Sequence, residues 1–218
     1  MSLSEQLRPY GIASLWNVSH LDNLPSLLER GLLCWNDANQ LASRVDIADR
    51  HVQNRRRPRF DARLNKIFEP HAHVPLFFAD NTPMLFVTAS ADRRVILLEI
   101  HSEAADAPNV CFSDGNVAAA DHCLYSDPAD LAHLDWQIIN SRRPAWGTDH
   151  DGIDWKCKRS AEVLIPGCCP ATFIRTVHVQ RFAKFDGIPV LEMARSFVAS
   201  SQRPDIGVSE DLLPQGVW

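Results

Sequence analysis

The sequence predicts one domain of the α+β class, and three observations support that prediction. Its 218 residues suit a single domain that can bury a proper core. Its apolar runs give at least six short strands and few long helices. These elements do not alternate as βαβ units do, and the Gly-x-Gly-x-x-Gly, Gly-x-x-x-x-Gly-Lys-Ser/Thr and Gly-x-Ser-x-Gly motifs are absent. Rossmann, P-loop and α/β-hydrolase sites are therefore not indicated.

The first predicted elements are a strand and a helix that follow each other closely. Residues 12–20 begin as an apolar strand and end in polar residues. Asp22 or Asn23 then caps a helix through residues 25–30, which Gly31 closes. His20, at the strand end beside a helix N-terminus, is either a turn residue or part of a site for a polar ligand.

A basic segment comes next. Seven arginines lie between residues 44 and 63. They form either a solvated helical face or a phosphate-binding segment, because guanidinium groups match phosphate oxygens.

The middle of the chain is predicted to form mostly strands. Residues 74–78 predict a strand, and residues 84–88 predict either a second strand or a helix that begins at Pro83. His71 and His73 lie two apart, but no carboxylate or cysteine at ligand spacing accompanies them, so no metal is expected. The later predicted elements are strands at 95–100, 110–112 and 172–179, a turn at 113–116, a helical patch at 117–120, a helix or helix pair at 128–139, a loop at 141–154 and a weak helix at 190–198 before a tail.

One short strand carries a carboxylate. The basic residues of 156–159 lead into an apolar run that Pro166 and Gly167 end. Since side chains alternate along a strand, Glu162 points away from Val163 and its same-face neighbours. Glu162 is either an edge-strand glutamate in water or a carboxylate in a polar cleft, because burying an unpaired charge is costly.

The composition limits the classes of partner. The chain is 45% hydrophobic and 22% charged, and its net charge of −5 means that any nucleic-acid site must be a local basic patch. No signal peptide is indicated, and no stretch approaches the roughly 18 apolar residues of a membrane helix. The six cysteines form no Cys-x-x-Cys pair, so we expect a cytoplasmic protein with reduced thiols.

Five short motifs, in order along residues 13–180, resemble those of the DarT family of DNA ADP-ribosyltransferase toxins. They are Leu15-Trp-Asn-Val-Ser-His20-Leu-Asp-Asn23-Leu-Pro25, His73-Val-Pro75-Leu-Phe-Phe78 with Pro83-Met84-Leu-Phe, Phe112-Ser-Asp114-Gly-Asn116-Val-Ala-Ala, Leu134-Asp135-Trp136, and Ala161-Glu162-Val-Leu-Ile. Each motif is weak alone, whereas five in register are specific.

The resemblance implies an ADP-ribosyltransferase-like split β-sandwich with flanking helices, in a single domain over residues 1–218. It implies NAD+ as co-substrate in the cleft between the sheets, without a metal. The implied acceptor is a base in single-stranded DNA, with thymine as the first choice and guanine as the second. The chain would be the toxin of a toxin–antitoxin pair, with an ADP-ribosyl-DNA hydrolase as the antitoxin.

The resemblance also implies roles for individual residues. Glu162 matches the catalytic glutamate, and Arg56 best matches the family's arginine, with Arg55 one step away. The implied NAD+ pocket is lined by Ser19, His20, Asn23 and Arg55. The acceptor strand would meet the arginine segment of residues 44–63 and the 146–159 region, where the DNA-binding candidates are Arg57, Arg59, Lys158 and Arg159.

The implied chemistry needs a fixed carboxylate. Breaking the bond from nicotinamide to ribose leaves positive charge on the sugar, and a pre-set anion in a water-poor cleft stabilises that charge. The same carboxylate can orient the acceptor or take its proton. The chain departs from the family at Asn17, where a histidine is frequent, and at residues 76–78, where tyrosine is common. Two other interpretations stay open: a catalytically silent nucleic-acid-binding module, and a protein-directed ADP-ribosyltransferase.

Overall fold

The computed structural model describes residues 1–120, 122–141, 150–201, 203 and 205–212. Its helices are α1 (Leu3–Leu7), α2 (Leu24–Arg30), α3 (Trp35–Ala38), α4 (Arg50–Arg55), α5 (Pro83–Ala91), α6 (Trp136–Ile139), α7 (His150–Arg159) and α8 (Val190–Ser200). Its strands are β1 (Ser14–His20), β2 (Leu32–Leu33), β3 (Arg59–Asp61), β4 (Lys66–Phe68), β5 (His73–Phe77), β6 (Val95–His101), β7 (Cys111–Ser113), β8 (Leu124–Tyr125), β9 (Glu162–Pro166), β10 (Cys168–Cys169), β11 (Ile174–Gln180), β12 (Lys184–Phe185), β13 (Ile188–Pro189) and β14 (Gly207–Leu212).

Eight of these strands form one large sheet, in the order β14-β11-β6-β1-β5-β9-β7-β8. Strands β11 and β14 are parallel, whereas the other neighbours are antiparallel. The remaining strands make three two-stranded ribbons, β10–β2, β12–β13 and β3–β4. A large mixed sheet with flanking helices confirms the predicted fold class.

The large sheet is almost divided at its middle. β1 pairs with β6 over seven residue pairs, but it meets β5 at one pair only, Trp16 with Phe77. The Asn17 side chain spans this gap by donating from Nδ2 to the Pro75 carbonyl at 2.9 Å. The sheet therefore consists of two four-stranded halves joined by a narrow seam.

The two faces of the sheet carry different side chains. The main core covers one face and includes Leu15, Leu98 and Val163. Because side chains alternate along strands, the opposite face carries two smaller apolar clusters, one around Phe77 and one around Leu164. Glu162 lies on this second face, and we call it the Glu162 face.

Local signals explain most of the elements that the sequence predicted. Of the two alternatives for residues 84–88, the helix is the one that forms, because Pro83 occupies the first turn of α5 and the Thr82 hydroxyl accepts from the Leu85 amide at 3.3 Å. Gly31 ends α2 at φ 83°. Residues 128–139 form a 3-10 turn followed by α6, which confirms the predicted helix pair.

Three predicted features were wrong. Residues 150–154 belong to α7 and not to a loop, and an Asp154–Lys158 ion pair supports that helix. Residues 117–120 form turns instead of a helix, because the Asn116 side chain accepts from the Ala118 amide at 2.8 Å. The tail contains strand β14, which uses the otherwise open edge of β11. Residues 142–149 of the predicted loop lie outside the described residues.

Two general expectations can be compared with the structure. All six cysteines are free thiols, and burial raises the pKa of Cys111 and of Cys169 to about 12. In the described part of the chain, no helix combines the length and apolar character that crossing a membrane requires.

Candidate active site

Cross-strand pairing brings three side chains into one row on the Glu162 face. Glu162, the first residue of β9, pairs with Phe77 of β5, and Phe77 pairs with Trp16 of β1. Directly paired residues project from the same face of a sheet, with strands about 5 Å apart. Glu162 therefore sits one strand away from the seam, and an aromatic residue flanks the seam on each side.

The Glu162 carboxylate is buried and held by two donors. Its side chain has no exposed surface, and Arg56, whose side chain is 8% exposed, donates from Nη2 to Glu162 Oε1. The Val117 amide donates to the same oxygen at 3.3 Å. The Ser113 hydroxyl accepts from the Glu162 backbone amide at 3.2 Å, which fixes the start of β9. The carboxylate is therefore oriented before any ligand arrives.

Helix α4 delivers Arg56 to this carboxylate. The Asp49 side chain caps the helix by accepting from the His51 and Val52 amides, and those bonds lower the pKa of Asp49. Arg56 follows as the C-terminal cap, with φ −77° and ψ 60°. Pro58 lies two residues further on and disfavours continued helix. The chain therefore leaves the helix at the residue whose side chain must reach the sheet.

A ring stack fixes α4 on its other side. Gln53 of α4 bonds through Oε1 to His71 Nε2 at 2.9 Å, and the His71 ring stacks on Trp35 with centroids 4.4 Å apart. Burial, and then the nearby Arg56 charge, lower the pKa of His71, which favours a neutral ring that donates to Gln53. His71 thus supports the helix that carries Arg56, a role that its spacing from His73 does not indicate.

Two buried atoms of the pair lack partners. Within the described residues, Glu162 Oε2 and Arg56 Nε are buried without a hydrogen-bond partner. Buried polar atoms in native proteins are normally satisfied, so each exception needs an explanation, such as an ordered water, a bound ligand or a catalytic role. One of these atoms accepts and the other donates. Ribose hydroxyls would satisfy the carboxylate oxygen, and phosphate or carbonyl oxygens would satisfy the guanidinium nitrogen, so the pair fits NAD+.

His20 lies on the Glu162 face, but its ring is fully engaged. Its Nδ1 accepts from the Asp22 amide at 3.1 Å, which leaves Nε2 to donate to Asp92 Oδ2 at 3.1 Å. The side chain is 1% exposed. His20, and neither Asp22 nor Asn23, therefore supplies the capping side chain at the start of this helical segment. His20 fixes the turn that follows β1.

The other predicted NAD+ residues are placed differently. Asn23 uses both ends of its amide on the backbone of Val45, donating and accepting at 2.8 Å, and so anchors the segment before α4. Ser19 is buried and pairs with Ile96, a residue of the main core. Arg55 is exposed on the last turn of α4. Of Arg55 and Arg56, only Arg56 contacts Glu162.

The four DNA-binding candidates separate into two pairs. Arg57 is exposed, and Arg59 is half-buried, with Nη2 close to His122 Nε2 and 3.5 Å from the Val117 carbonyl. Burial is the main cause of a lowered pKa at His122, and the Arg59 charge adds to it. Arg59 thus lies beside the residue whose amide holds Glu162.

Lys158 and Arg159 have structural partners. Lys158 pairs with Asp154 at 2.8 Å and lines a cavity of about 520 Å³ with Asp135 and Trp136. Arg159 is 2% exposed, and it donates to the backbone carbonyls of Asn81 at 3.2 Å and Ile138 at 3.3 Å. Arg159 presents no surface to a DNA strand, because its guanidinium is spent on the α5 entry loop and α6. The described residues contain no cluster suited to a metal ion.

Sequence reasoning missed several contributors to this site. Ser113 and Val117, which hold Glu162, lie at the start of the predicted turn and just after it. The position of this turn directly after a buried strand could have indicated them. His122 and Gln53 carry no local signal, since their roles depend on contacts between distant parts of the chain.

Comparisons with known proteins identify the family. A family model described as "ssDNA thymidine ADP-ribosyltransferase, DarT" matches residues 16–186. A DNA ADP-ribosyl transferase of Mycobacterium tuberculosis is 28% identical over 176 residues, covering 75% of this chain and 74% of the relative. A Thermosipho africanus DNA ADP-ribosyl transferase–DNA ADP-ribosyl glycohydrolase fusion protein is 24% identical over 169 residues, covering 76% of this chain and 42% of the fusion.

Solved structures show the same fold. Thermus sp. 2.9 DarT in complex with ADP-ribosylated ssDNA matches with a TM-score of 0.71 and 23% identity, over 94% of this chain and 97% of that one. The same protein in complex with NAD+ matches with a TM-score of 0.68 and 19% identity, over 93% and 98%. The family match spans most of the chain and includes both members of the buried pair. The chain therefore belongs to the DarT family and is an NAD+-dependent DNA ADP-ribosyltransferase.

Proposed function

We propose that this enzyme transfers ADP-ribose from NAD+ to a thymine base in single-stranded DNA, and that it acts in the cytoplasm as the toxin of a toxin–antitoxin pair. The observation that supports the chemistry best is the buried Arg56–Glu162 pair, with an unpartnered acceptor and an unpartnered donor. The family description names ssDNA thymidine, and the Thermus sp. 2.9 neighbour holds ADP-ribosylated ssDNA. Fusion to a glycohydrolase in the Thermosipho africanus relative supports an antitoxin that removes the modification.

Each residue of the site has a definite task in this proposal. NAD+ supplies a ribose that becomes positively charged as nicotinamide leaves. Glu162 faces that ribose, accepts from its hydroxyl groups through Oε2 and stabilises the positive charge. Arg56 and the Val117 amide keep the carboxylate aimed. The product is a glycosyl bond to the base, and the displaced base proton passes to the carboxylate or to water.

The test is transfer of labelled ADP-ribose to short single-stranded oligonucleotides that each contain one candidate base. We expect label on the thymine oligonucleotide and its loss in the Glu162→Gln variant, by about 10²-fold or more. Glu192→Gln, at an exposed position of α8, is the matched control and should keep full transfer. Transfer that survives Glu162→Gln would contradict the proposed role of the carboxylate.

The remaining alternatives have distinct outcomes in this assay, in labelling of a cell lysate and in a growth test. Label on guanine instead of thymine would correct the acceptor base. Oligonucleotide binding without any transfer would indicate a silent module. Label that stays with cellular protein after nuclease digestion would indicate a protein-directed enzyme. Growth arrest upon expression, absent for Glu162→Gln, tests the toxin role.

A further inference from the structure

The β3–β4 ribbon presents an apolar pair to solvent. Phe60 and Ile67 are cross-strand partners, and they are 65% and 71% exposed. Their neighbours Arg59 and Phe68 point to the opposite side, where Phe68 is 1% exposed and packs in the Leu164 cluster. The ribbon is thus held by its inner side, and its outer side carries an aromatic ring beside a branched aliphatic side chain.

The ribbon is also strongly basic. Residues 55–67 contain five arginines and one lysine against the single acid Asp61, a net charge of +5 within a chain of net charge −5. Among the described residues, Arg56 is the member of this group that forms an ion pair. Asp61 is occupied by the backbone amides of Arg63 and Leu64, at 3.0 and 2.9 Å. Arg55, Arg57, Arg63 and Lys66 are exposed, so four cations of this segment remain available to a polyanion.

A short chain of contacts links the ribbon that carries this surface to the Glu162 carboxylate. Arg59, next to Phe60, reaches the Val117 carbonyl, and the Val117 amide donates to Glu162. Phe68, next to Ile67, packs with Val117 in the Leu164 cluster. Phe60 and Ile67 are therefore sequence neighbours of two residues that contact Val117, whose amide holds Glu162.

A second exposed aromatic residue provides a comparison. Phe182 is also 65% exposed and lies beside an arginine, with the Arg181 guanidinium 5.1 Å from its ring. It follows β11, in the other half of the sheet, and residues 181–188 carry two cations and one acid. Phe182 thus matches Phe60 in type and exposure but lacks the dense positive charge and the link to Glu162.

From these observations we propose that Phe60, supported by Ile67, is a stacking platform for a base of the single-stranded DNA that flanks the modified base. Stacking on an aromatic ring needs an unpaired base, and the surrounding cations would neutralise the adjoining phosphates. This inference rests on the proposed function, because it assigns part of the acceptor-strand path to the same site.

The experiment measures binding of a fluorescent thymine-containing oligonucleotide by anisotropy, without NAD+, over a series of salt concentrations. Phe60→Ala should weaken binding about fivefold to a hundredfold, while the slope against salt stays unchanged. Phe60→Trp, which keeps an aromatic ring, should bind the oligonucleotide with about the affinity of wild type. Arg57→Gln should instead lower the salt slope by about 0.7, since it removes one phosphate contact. Phe182→Ala is the matched control and should bind as wild type does.

A second arm uses oligonucleotides with 2-aminopurine at successive positions. Quenching at one position beside the acceptor base, lost in Phe60→Ala and kept in Phe182→Ala, locates the stacked base. Equal affinity of wild type and Phe60→Ala would overturn the inference, as would equal binding of single strand and duplex. If Phe60→Ala weakens binding but wild type transfers no label, the proposed function fails and the platform stands. If wild type transfers label but Phe60→Ala binds the oligonucleotide normally, the proposed function stands and the stacking platform is refuted.

Discussion

Glu162 and Arg56 form an ion pair that is almost fully removed from water. Desolvating two charges costs several kcal/mol, so a buried pair seldom adds net stability over apolar residues of similar volume. The pair also leaves Glu162 Oε2 and Arg56 Nε unsatisfied, which adds to the cost. Such an arrangement is expected where stability is given up for function, and we propose that bound NAD+ provides the missing partners.

The adjacent arginines allow a prediction at this scale. Arg56→Lys keeps the positive charge but loses the planar fork, so transfer activity should fall about 10²-fold while the protein stays folded. Arg55→Lys, the same change on the exposed last turn of α4, should leave activity near wild type. Initial rates of ADP-ribose transfer, with circular dichroism of both variants, make the comparison. Equal losses in the two variants would refute the assignment of Arg56.

Single residues also differ in how far their roles could be predicted from the sequence. Glu162 could be selected because a lone carboxylate in an apolar strand must be paired or must face a cleft, and the structure has it both buried and paired. Ser19, His20 and Asn23 form a polar group at a strand end, and the sequence does not tell which of them faces the cleft. Asn23 bonds the Val45 backbone 22 residues away, a contact that no local pattern encodes.

At the scale of elements, the site depends on backbone segments that meet closely. Gly31 follows α2 with φ +83°, and a Cβ built there would lie 2.3 Å from the Cys169 carbonyl oxygen and 2.8 Å from the Ala171 nitrogen. The ribbon β2–β10 thus begins where the backbone leaves no room for a side chain. The sequence predicted the helix end at Gly31, but it gave no indication of this contact with residues 169–171.

Gly31→Ala should therefore destabilise the protein by about 3 kcal/mol or more, because strain at positive φ adds to a clash with backbone that cannot move away cheaply. Gly11→Ala is the control, since Gly11 has φ +78° but a Cβ added there would meet nothing within 4 Å. It should cost only about 1–2 kcal/mol. Urea unfolding of both variants measures the difference. Equal costs would show that α2 and β10 can separate without penalty.

For the molecule as a whole, the class of fold was predictable and its connectivity was not. The buried strands at β1, β5, β6, β9 and β11 follow from their apolar runs. Strand β14 was missed because half of residues 207–212 are Ser, Glu or Asp and because the strand pairs at an edge of the sheet. The order in which strands meet depends on contacts far apart in sequence. The resemblance implied a split sandwich but did not indicate that β1 and β5 lie at the seam.

The dependence of stability on pH is also a property of the whole chain. Burial is the main cause of lowered pKa values at His71, His73 and His122. Between the lowered folded values and the unfolded value of about 6.5, the unfolded chain binds more protons, so stability rises with pH. The contribution is fully present above about pH 6.5 and is lost as the pH falls below it.

We therefore expect the free energy of unfolding in urea to stay nearly constant from pH 7.5 to about pH 6.5 and to decrease from there towards pH 5. The His73→Gln and His122→Gln variants should each show a shallower dependence, because each removes one group that gains a proton upon unfolding. The double variant should show the sum of the two changes, since the sites have separate partners. A stability that is constant or increases as the pH falls over this range would contradict the expectation.

The seam at Trp16 and Phe77 gives the molecule an unusual mechanical character. Most sheets resist bending across their middle, because each strand is hydrogen-bonded to the next over most of its length. Here β1 and β5 are joined by one residue pair and by the hydrogen bond of the Asn17 side chain. We expect the sheet to bend more easily at this joint than within either half, and NAD+ bound across the joint to make it stiffer.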